Sequence, residues 1–337
     1  MTEPHANQIS VVIPVRNEAG SIDQLLTSLL NQTLAPLEIL ITDGGSVDGT
    51  TDIVEHYVNQ EAPVRLIKTA GALPGRGRNL SAAQAAGEWL AFIDGGNRPA
   101  PNWLAALAEQ AQAAQADVVY GSYEPVIDSF FRECAAIAYV AAPQEIDGKL
   151  SRSNFIASTL MRREAWANVG GFPEHLRSAE DLLFMRAVEA ANFKTTRAPQ
   201  AIVYWTIQPN LWRTFKRFVA YSRENLRAGL FRDWQAAIFA RYAIVVASLP
   251  VALLVGWPLS SLPLVLWLIL MILRGTKALR RNRRAYPASL IRNLARLFVV
   301  VVIIAAIDAA AFIGFIDWFL RDKVQLYGSK EQHAARG

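Results

Sequence analysis

The 337-residue chain has one cysteine, Cys134, and four histidines. A lone cysteine excludes an intrachain disulfide framework, and without companions at metal-ligand spacing it reads as a buried thiol. His5, His56, His175 and His333 are scattered, so no Ser-His-Asp set is suggested. A Walker lysine motif is missing. Gly75-x-Gly77 lacks the third glycine of a dinucleotide fingerprint and does not directly follow the first strand. The first eight residues are polar, with no apolar core before Ile9. No signal peptide is therefore expected, and the N-terminal part is expected to stay in the cytosol. Residues 274–296 contain no acid but eight arginine or lysine side chains, in a chain whose net charge is +5. Such a stretch can mean nucleic acid. Lying between apolar runs, it reads instead as a cytosolic membrane loop beside anionic lipid, and no nucleic-acid partner is expected.

What the chain has in quantity is apolar sequence, 52% of its residues. Tyr242 to Leu273 carries no charge, and Leu297 to Leu320 is interrupted by Asp308. A membrane span needs about 20 residues. The first run, broken by Pro250, Pro258 and Pro263, reads as two short spans, 238–257 and 259–274, or as a re-entrant pair. The third span is 297–320. An acid at Asp308 is costly in lipid and is expected to face another helix. Ahead of these runs, Pro209 to Phe231 has Leu211, Phe215, Phe218, Leu226 and Leu230 on one face and basic residues mostly elsewhere. That pattern fits a helix on a membrane surface, covering about 209–234. The alternative is an ordinary surface helix packed on the domain.

Residues 1–208 read as a separate α/β domain. Ile9–Val15, Leu37–Thr42, Val64–Lys68, Trp89–Ile93 and Asp117–Tyr120 are apolar, largely β-branched runs with helical periodicities between them. Strands apolar along their length argue for a mainly parallel sheet covered on both faces. Ser21 is expected to cap the first helix. Gly71–Arg78 reads as a glycine-rich basic loop, Pro101–Gln115 and Glu180–Ala191 as helices, Phe155–Met161 and Thr195–Trp205 as further strands. Asp43 with Asp48, the Gly75–Asn79 stretch and Asp94 all lie after predicted strands or between two of them. In a parallel sheet such positions share one edge, where open α/β sheets bind ligands. Arg76 and Arg78 can neutralise phosphate there, or be solvated surface charge. Glu180-Asp181 can hold a general base, or be the acidic first turn of a helix.

Ser10-Val-Val-Ile-Pro-Val-Arg-Asn-Glu18 and Asp43-Gly-Gly-Ser-Val-Asp-Gly-Thr50 resemble family 2 glycosyltransferases. The resemblance continues through Gly77-Arg78-Asn79, Gly87-Glu88, Phe92-Ile93-Asp94 and Pro101-Asn102-Trp103-Leu104. It resumes at Gly170-Gly171-Phe172-Pro173 and Glu180-Asp181, and so covers about residues 9–205. It implies the GT-A nucleotide-sugar fold, a nucleotide-sugar donor, and transfer with inversion to a lipid, lipid-linked or saccharide acceptor in cell-envelope polysaccharide or glycolipid synthesis. It places Pro14, Arg16, Asn17, Glu18, Asp43, Asp48, Arg76, Arg78 and Asp94 at the donor. Within that set Asp43 would contact the base, Arg78 would lie near the nucleotide, and Asp94 would hold a divalent ion, Mg2+ or Mn2+. Asp181, with Glu180, would be the catalytic base. One departure is plain: the second acid of the family's Asp-x-Asp is Gly96 here, which weakens the expectation of a metal. A catalytically idle nucleotide-sugar-binding protein is the alternative that Gly96 raises. A processive synthase is another, although its Gln-x-x-Arg-Trp is missing at Gln208–Trp212. The whole reads as an inner-membrane protein with a cytosolic catalytic domain.

Overall fold

A computed structural model of the chain describes residues 8–146, 148–255 and 259–323. The expected tails, with His5 and His333, and Pro258 at the expected break lie outside the described residues. Two units are distinguished: residues to Val126 with Pro143–Thr206, and Ile127–Ala142 with the residues from Ile207 onward.

The first unit runs β1 (Ile9–Val15), α1 (Ile22–Leu30), β2 (Glu38–Asp43), α2 (Thr50–Asn59), β3 (Val64–Lys68), α3 (Pro74–Gln84), β4 (Trp89–Phe92), β5 (Asn97–Pro99), α4 (Trp103–Ala114) and β6 (Val118–Pro125). After α5 (Phe130–Tyr139), which belongs to the second unit, come β7 (Gln144–Ile146), β8 (Lys149–Ser151), β9 (Thr159–Arg162), α6 (Arg163–Asn168), α7 (Glu180–Ala190) and β10 (Thr195–Trp205). Eight strands form one sheet in the order β3-β2-β1-β4-β9-β6-β10-β5. The β1 neighbours β2 and β4 are parallel to it, while β9 runs antiparallel to both β4 and β6. This is the mixed, mostly parallel α/β sheet that strands buried on both faces require. Every residue of β1 except Pro14 is buried, as is all of β2 and β4.

Several expectations need correction. Gly71–Arg78 is not a loop throughout: α3 begins at Pro74, a residue suited to the first helical position. Its glycines reflect close approach, since a methyl group on Gly75 would stand 2.2 Å from the Pro173 carbonyl oxygen. Ser21 does not cap α1; its hydroxyl donates to Glu18 Oε2 at 2.7 Å. Asn97–Pro99, for which no strand was expected, is a short strand antiparallel to β10. Asp117–Tyr120 is the start of a longer strand, and the strand expected from Phe155 begins only at Thr159, after a single 3-10 turn. Residues 127–142 belong with the second unit rather than with the first.

The second unit continues with α8 (Leu211–Arg227), α9 (Phe231–Trp234), α10 (Ala236–Ala247), α11 (Leu249–Val255), α12 (Leu262–Asn282) and α13 (Leu290–Trp318). Three helical stretches, Ala236–Leu254, Leu262–Asn282 and Leu290–Asp322, are long and apolar enough to cross a membrane. The basic segment 274–296 is not a loop but mainly two helix ends, with only residues 283–289 between them. Arginine is a good helix former, and Arg280 and Arg281 in the last turn of α12 complement the helix dipole. Within it Arg274 pairs with Asp308, and both Arg292 and Arg296 pair with Glu133 of α5. α8 packs along α13: Ser222 donates to the Ala311 carbonyl at 2.9 Å, and Arg223 pairs with Asp317 at 2.9 Å. The residues α8 buries are mostly polar, Thr214, Ser222, Glu224 and Asn225 among them, while Leu211, Phe215 and Phe218 of its apolar face are half-buried.

Asp308 is fully buried and takes both terminal nitrogens of Arg274. Truncating it to alanine leaves a cation without its partner in an apolar bundle, an expected loss of about 3 kcal/mol or more. Replacing the pair together, as R274M with D308L, is expected to cost much less. Thermal unfolding of the detergent-solubilised variants checks the order; equal losses would show that the pairing is not what Asp308 provides.

Candidate active site

The carboxyl ends of β1, β2 and β4 lie side by side. Val15 is in register with Asp43, Val12 is in register with Phe92, and the Ile93 amide donates to the Val12 carbonyl at 3.3 Å. The loops after β1 and β2 are tied together. Asn17 Oδ1 accepts from the Val47 amide at 2.9 Å, and the Asn17 amide donates to Ser46 Oγ at 2.8 Å. Asp48 accepts from the Ala19 amide at 3.0 Å and from the Thr50 hydroxyl, which holds its carboxyl below the usual range. The Asp43 carboxylate is buried and turned into its own loop, accepting from the Gly45 and Ser46 amides and the Ser46 hydroxyl.

Arg78, on α3, is only 3% exposed. One terminal nitrogen donates to Asp94 Oδ1 and the other to Glu180 Oε1, each at 2.7 Å. Its guanidinium also lies over the Phe172 ring, 5.2 Å from the centroid, and Phe172 stacks on Phe184 at 3.8 Å. A buried guanidinium cannot shed its charge, so paired carboxylates are the condition for burying it. Asp94 and Asp43 raise different questions: the Asp94 side chain stays 37% exposed and so keeps a face open to a ligand. Glu180 is buried, and its Oε2 has no hydrogen-bond partner among the described residues.

Asp181 is the neighbour of Glu180 in the first turn of α7. Burial, then the negative charges of Glu180 and Asp94, push its carboxyl up to about 6 against the pull of Arg78. That is the range in which a carboxylate is ionised at neutral pH yet basic enough to take a proton. The preceding residue, Ala179, has φ of +70°, a left-handed conformation that costs a side chain about 1 kcal/mol or more. The strain sits where the chain must turn to present both acids.

Of the residues expected at the donor, Asn17, Glu18, Asp43, Asp48 and Asp94 lie on this edge, as does Pro14, packed against Gly77. Arg16 and Arg76 are exposed. Arg78 departs from the expectation of a cation free for phosphate, because both terminal nitrogens are taken up by protein carboxylates. Glu180 likewise is engaged below the surface, its Oε1 held by Arg78. Sequence reasoning missed Asn79. Its side chain accepts from the Phe172 amide and the Trp166 indole and donates to the Phe172 carbonyl, pinning the Gly170–Pro173 turn beneath Arg78. Its place directly after Arg78 in the Gly-Arg-Asn motif was the available signal. Among the described residues no group of three or more His, Cys, Asp or Glu side chains is gathered for a metal. Asp94 offers a partly exposed carboxylate, a hard oxygen donor that suits Mg2+ or Mn2+ when phosphate oxygens supply the rest.

Residues 10–169 match the model of the family described as Glycosyl transferase family 2. Glycosyltransferase AglE of Haloferax volcanii is 30% identical over 204 residues, 58% of this chain and 65% of that protein. Succinoglycan biosynthesis protein ExoA of Rhizobium meliloti is 26% identical over 273 residues, 76% of this chain and 81% of that protein. The first curated relatives matched are spanned over 33–65% of their own length. A mannosyltransferase from Pyrobaculum calidifontis, solved in complex with GDP-Man and Mn2+, superposes with a TM-score of 0.55. It is 17% identical, with 94% of this chain and 90% of that one covered, so the likeness is one of fold.

Removing Arg78 strands a buried Glu180 carboxylate. R78M is expected to destabilise the protein by about 3–5 kcal/mol. R78M with E180Q is expected to recover part of that loss. Chemical denaturation measures both; an R78M variant as stable as wild type would contradict the clamp.

Proposed function

The family 2 glycosyltransferase domain over residues 10–169 is the premise from which we propose that this chain is a membrane-anchored inverting glycosyltransferase. It moves a sugar from a nucleotide-sugar donor to a hydroxyl of a lipid, lipid-linked or saccharide acceptor. The observation that carries the reading is the Arg78 clamp, which ties Asp94 at a strand end to the acid pair that opens α7. A donor-side carboxylate and a raised, partly exposed Asp181 are what direct displacement needs.

In this mechanism the Asp181 carboxylate takes the proton of the acceptor hydroxyl as that oxygen attacks the anomeric carbon. The new glycosidic bond forms on the face opposite the departing group, and the bond to the diphosphate breaks with its electron pair leaving on the nucleotide. The loops after β1 and β2 cradle the nucleoside. Arg78 and Glu180 hold the base in place without touching substrate. Asp94 is the residue that would hold Mg2+ or Mn2+ with the donor's diphosphate, where such an ion supplies positive charge to the leaving group. The ligands of the Pyrobaculum enzyme, GDP-Man and Mn2+, support a donor and an ion of this class.

The second unit supports the anchoring. Three helical stretches have membrane length and hydropathy. The basic ends of α12 and α13 favour a cytosolic side for the connection between them, and the exposed Trp212 on α8 suits an interfacial position for that helix. The unit up to Val126 with Pro143–Thr206 is then the catalytic domain, 209–234 the interfacial helix, and α10 to α13 the membrane region. An anchored enzyme favours a lipid or lipid-linked acceptor, and the Rhizobium relative's name favours polysaccharide synthesis. Gly96 motivates one rival, an idle donor-binding protein.

D181N distinguishes them: transfer is expected to fall by about 10²–10⁴, with nucleotide binding unchanged. A wild type that transfers no sugar from any donor it binds would favour the rival. The pH dependence has a definite sign. A base must be ionised, so kcat/KM is expected to be full well above about 6 and to fall as pH drops through that value. A profile flat across that range would contradict Asp181 as the base.

A further inference from the structure

Gly96 stands where the resemblance leads one to look for a second acid, and its surroundings explain what replaces it. The backbone there is not in the left-handed region, and a methyl group at 96 would meet nothing closer than ordinary contact distance. Neither conformation nor space therefore demands glycine. The atoms that such a methyl group would meet are Glu18 Oε2 at 3.5 Å, Glu18 Oε1 at 3.8 Å and Glu18 Cδ at 3.9 Å. The side-chain space of residue 96 thus opens directly onto another carboxylate. At Gly95 the case is different. A methyl group there would stand 2.9 Å from Val15 Cγ1 and 3.1 Å from Glu18 Cγ. Gly95 is the residue that lets the methylene stem of Glu18 lie across this turn.

Glu18 follows β1 and Asp94 follows β4, parallel neighbours whose carboxyl ends share an edge. Glu18 is firmly held. Its amide donates to Thr50 Oγ1 at 2.8 Å, its carbonyl accepts from the Ser21 and Ile22 amides, and its Oε2 accepts from the Ser21 hydroxyl at 2.7 Å. Asp94 is fixed from the other side by Arg78 and by a tight turn in which the Asn97 amide donates to the Asp94 carbonyl at 3.0 Å.

We propose that Glu18 supplies the second carboxylate of the donor-site cation position, taking over from β1 the role that residue 96 cannot fill. The inference rests on the donor site proposed above. A hard divalent cation asks for oxygen ligands at a fixed span, not for a particular place in the chain. Asp94 and Glu18 offer two such groups from adjacent strand ends, leaving the remaining positions to diphosphate and water. Gly95 and Gly96 are then the accommodation of Glu18, one giving its stem room and the other leaving its carboxylate unopposed by a third acid.

The test measures binding rather than turnover. A panel of nucleoside diphosphates (UDP, GDP, CDP, ADP and dTDP) is titrated by calorimetry into the full chain in detergent, once with Mn2+ and once with EDTA. The wild type is expected to bind one of them more tightly with Mn2+. E18Q keeps an acceptor for the Ser21 hydroxyl and is expected to lose about tenfold or more of the Mn2+-dependent gain, read as the ratio of its own Mn2+ and EDTA affinities. E18A is expected to lose the gain as well, and E18A with G96D to regain it by returning an acid to position 96. An E18Q variant with the full gain, a wild type whose binding ignores Mn2+, or a double variant no better than E18A overturns the role of Glu18. Failure of the wild type to bind any of the panel under either condition instead overturns the donor site itself.

Discussion

One guanidinium organises the catalytic unit. Arg78 is buried, permanently charged, and satisfied only if two carboxylates come to it from elements far apart in sequence. Asp94 comes from the end of β4, and Glu180, 102 positions from Arg78, comes from the start of α7. Much of the local geometry follows from this requirement. α3 must lie close enough to the Gly170–Pro173 turn that Gly75 can carry no side chain. Phe172 must pack under the guanidinium, and Asn79 must pin the turn that carries Phe172. The left-handed backbone at Ala179 is tolerated because the Glu180 ion pair over-determines it. Asp181 is left beside a buried acid in a poorly solvated place, which raises its carboxyl toward neutrality.

The elements legible in the sequence are those whose burial is uniform. β1, β2 and β4 are apolar on both faces, so their composition alone marks them as central strands. Once they are strands of a parallel sheet, their carboxyl ends must share an edge, and Asp43, Asp48 and Asp94 fall there. What was not legible has a common cause. A sequence marks arginine as a surface residue, and nothing local tells that Arg78 is the buried exception. A run with Gly75 and Gly77 reads as a loop, because the groups that crowd those glycines are distant in sequence: the Pro173 carbonyl at Gly75, nearly a hundred residues on, and Pro14 of β1 at Gly77. β5 is three residues long and exists only because β10 pairs with it. The approach of Glu18 to Gly96 is invisible until β1 and β4 are placed side by side.

The second unit shows the same limit for charge. Eight cations with no acid between them suggest a loop, yet most lie on helices, and three find acids elsewhere in the chain. Asp308, which interrupts an apolar run, is the partner of Arg274 rather than a defect in a span. Glu133 on α5 answers Arg292 and Arg296, which is why residues 127–142 go with the helices although the strands on either side, β6 and β7, belong to the first unit. Hydropathy located the long helices well, because each needs only its own composition. The pairings that hold them together depend on long-range partners that composition does not reveal.

In the proposed mechanism Asp181 deprotonates the acceptor hydroxyl, whose oxygen displaces the diphosphate directly from the anomeric carbon. The configuration of the product therefore tests the account at its centre. Proton NMR of the first product formed from the donor that the protein turns over should show an anomeric centre opposite in configuration to that of the donor. A product that retains the donor's configuration would contradict Asp181 as the base and, with it, the mechanism built on the Arg78 clamp.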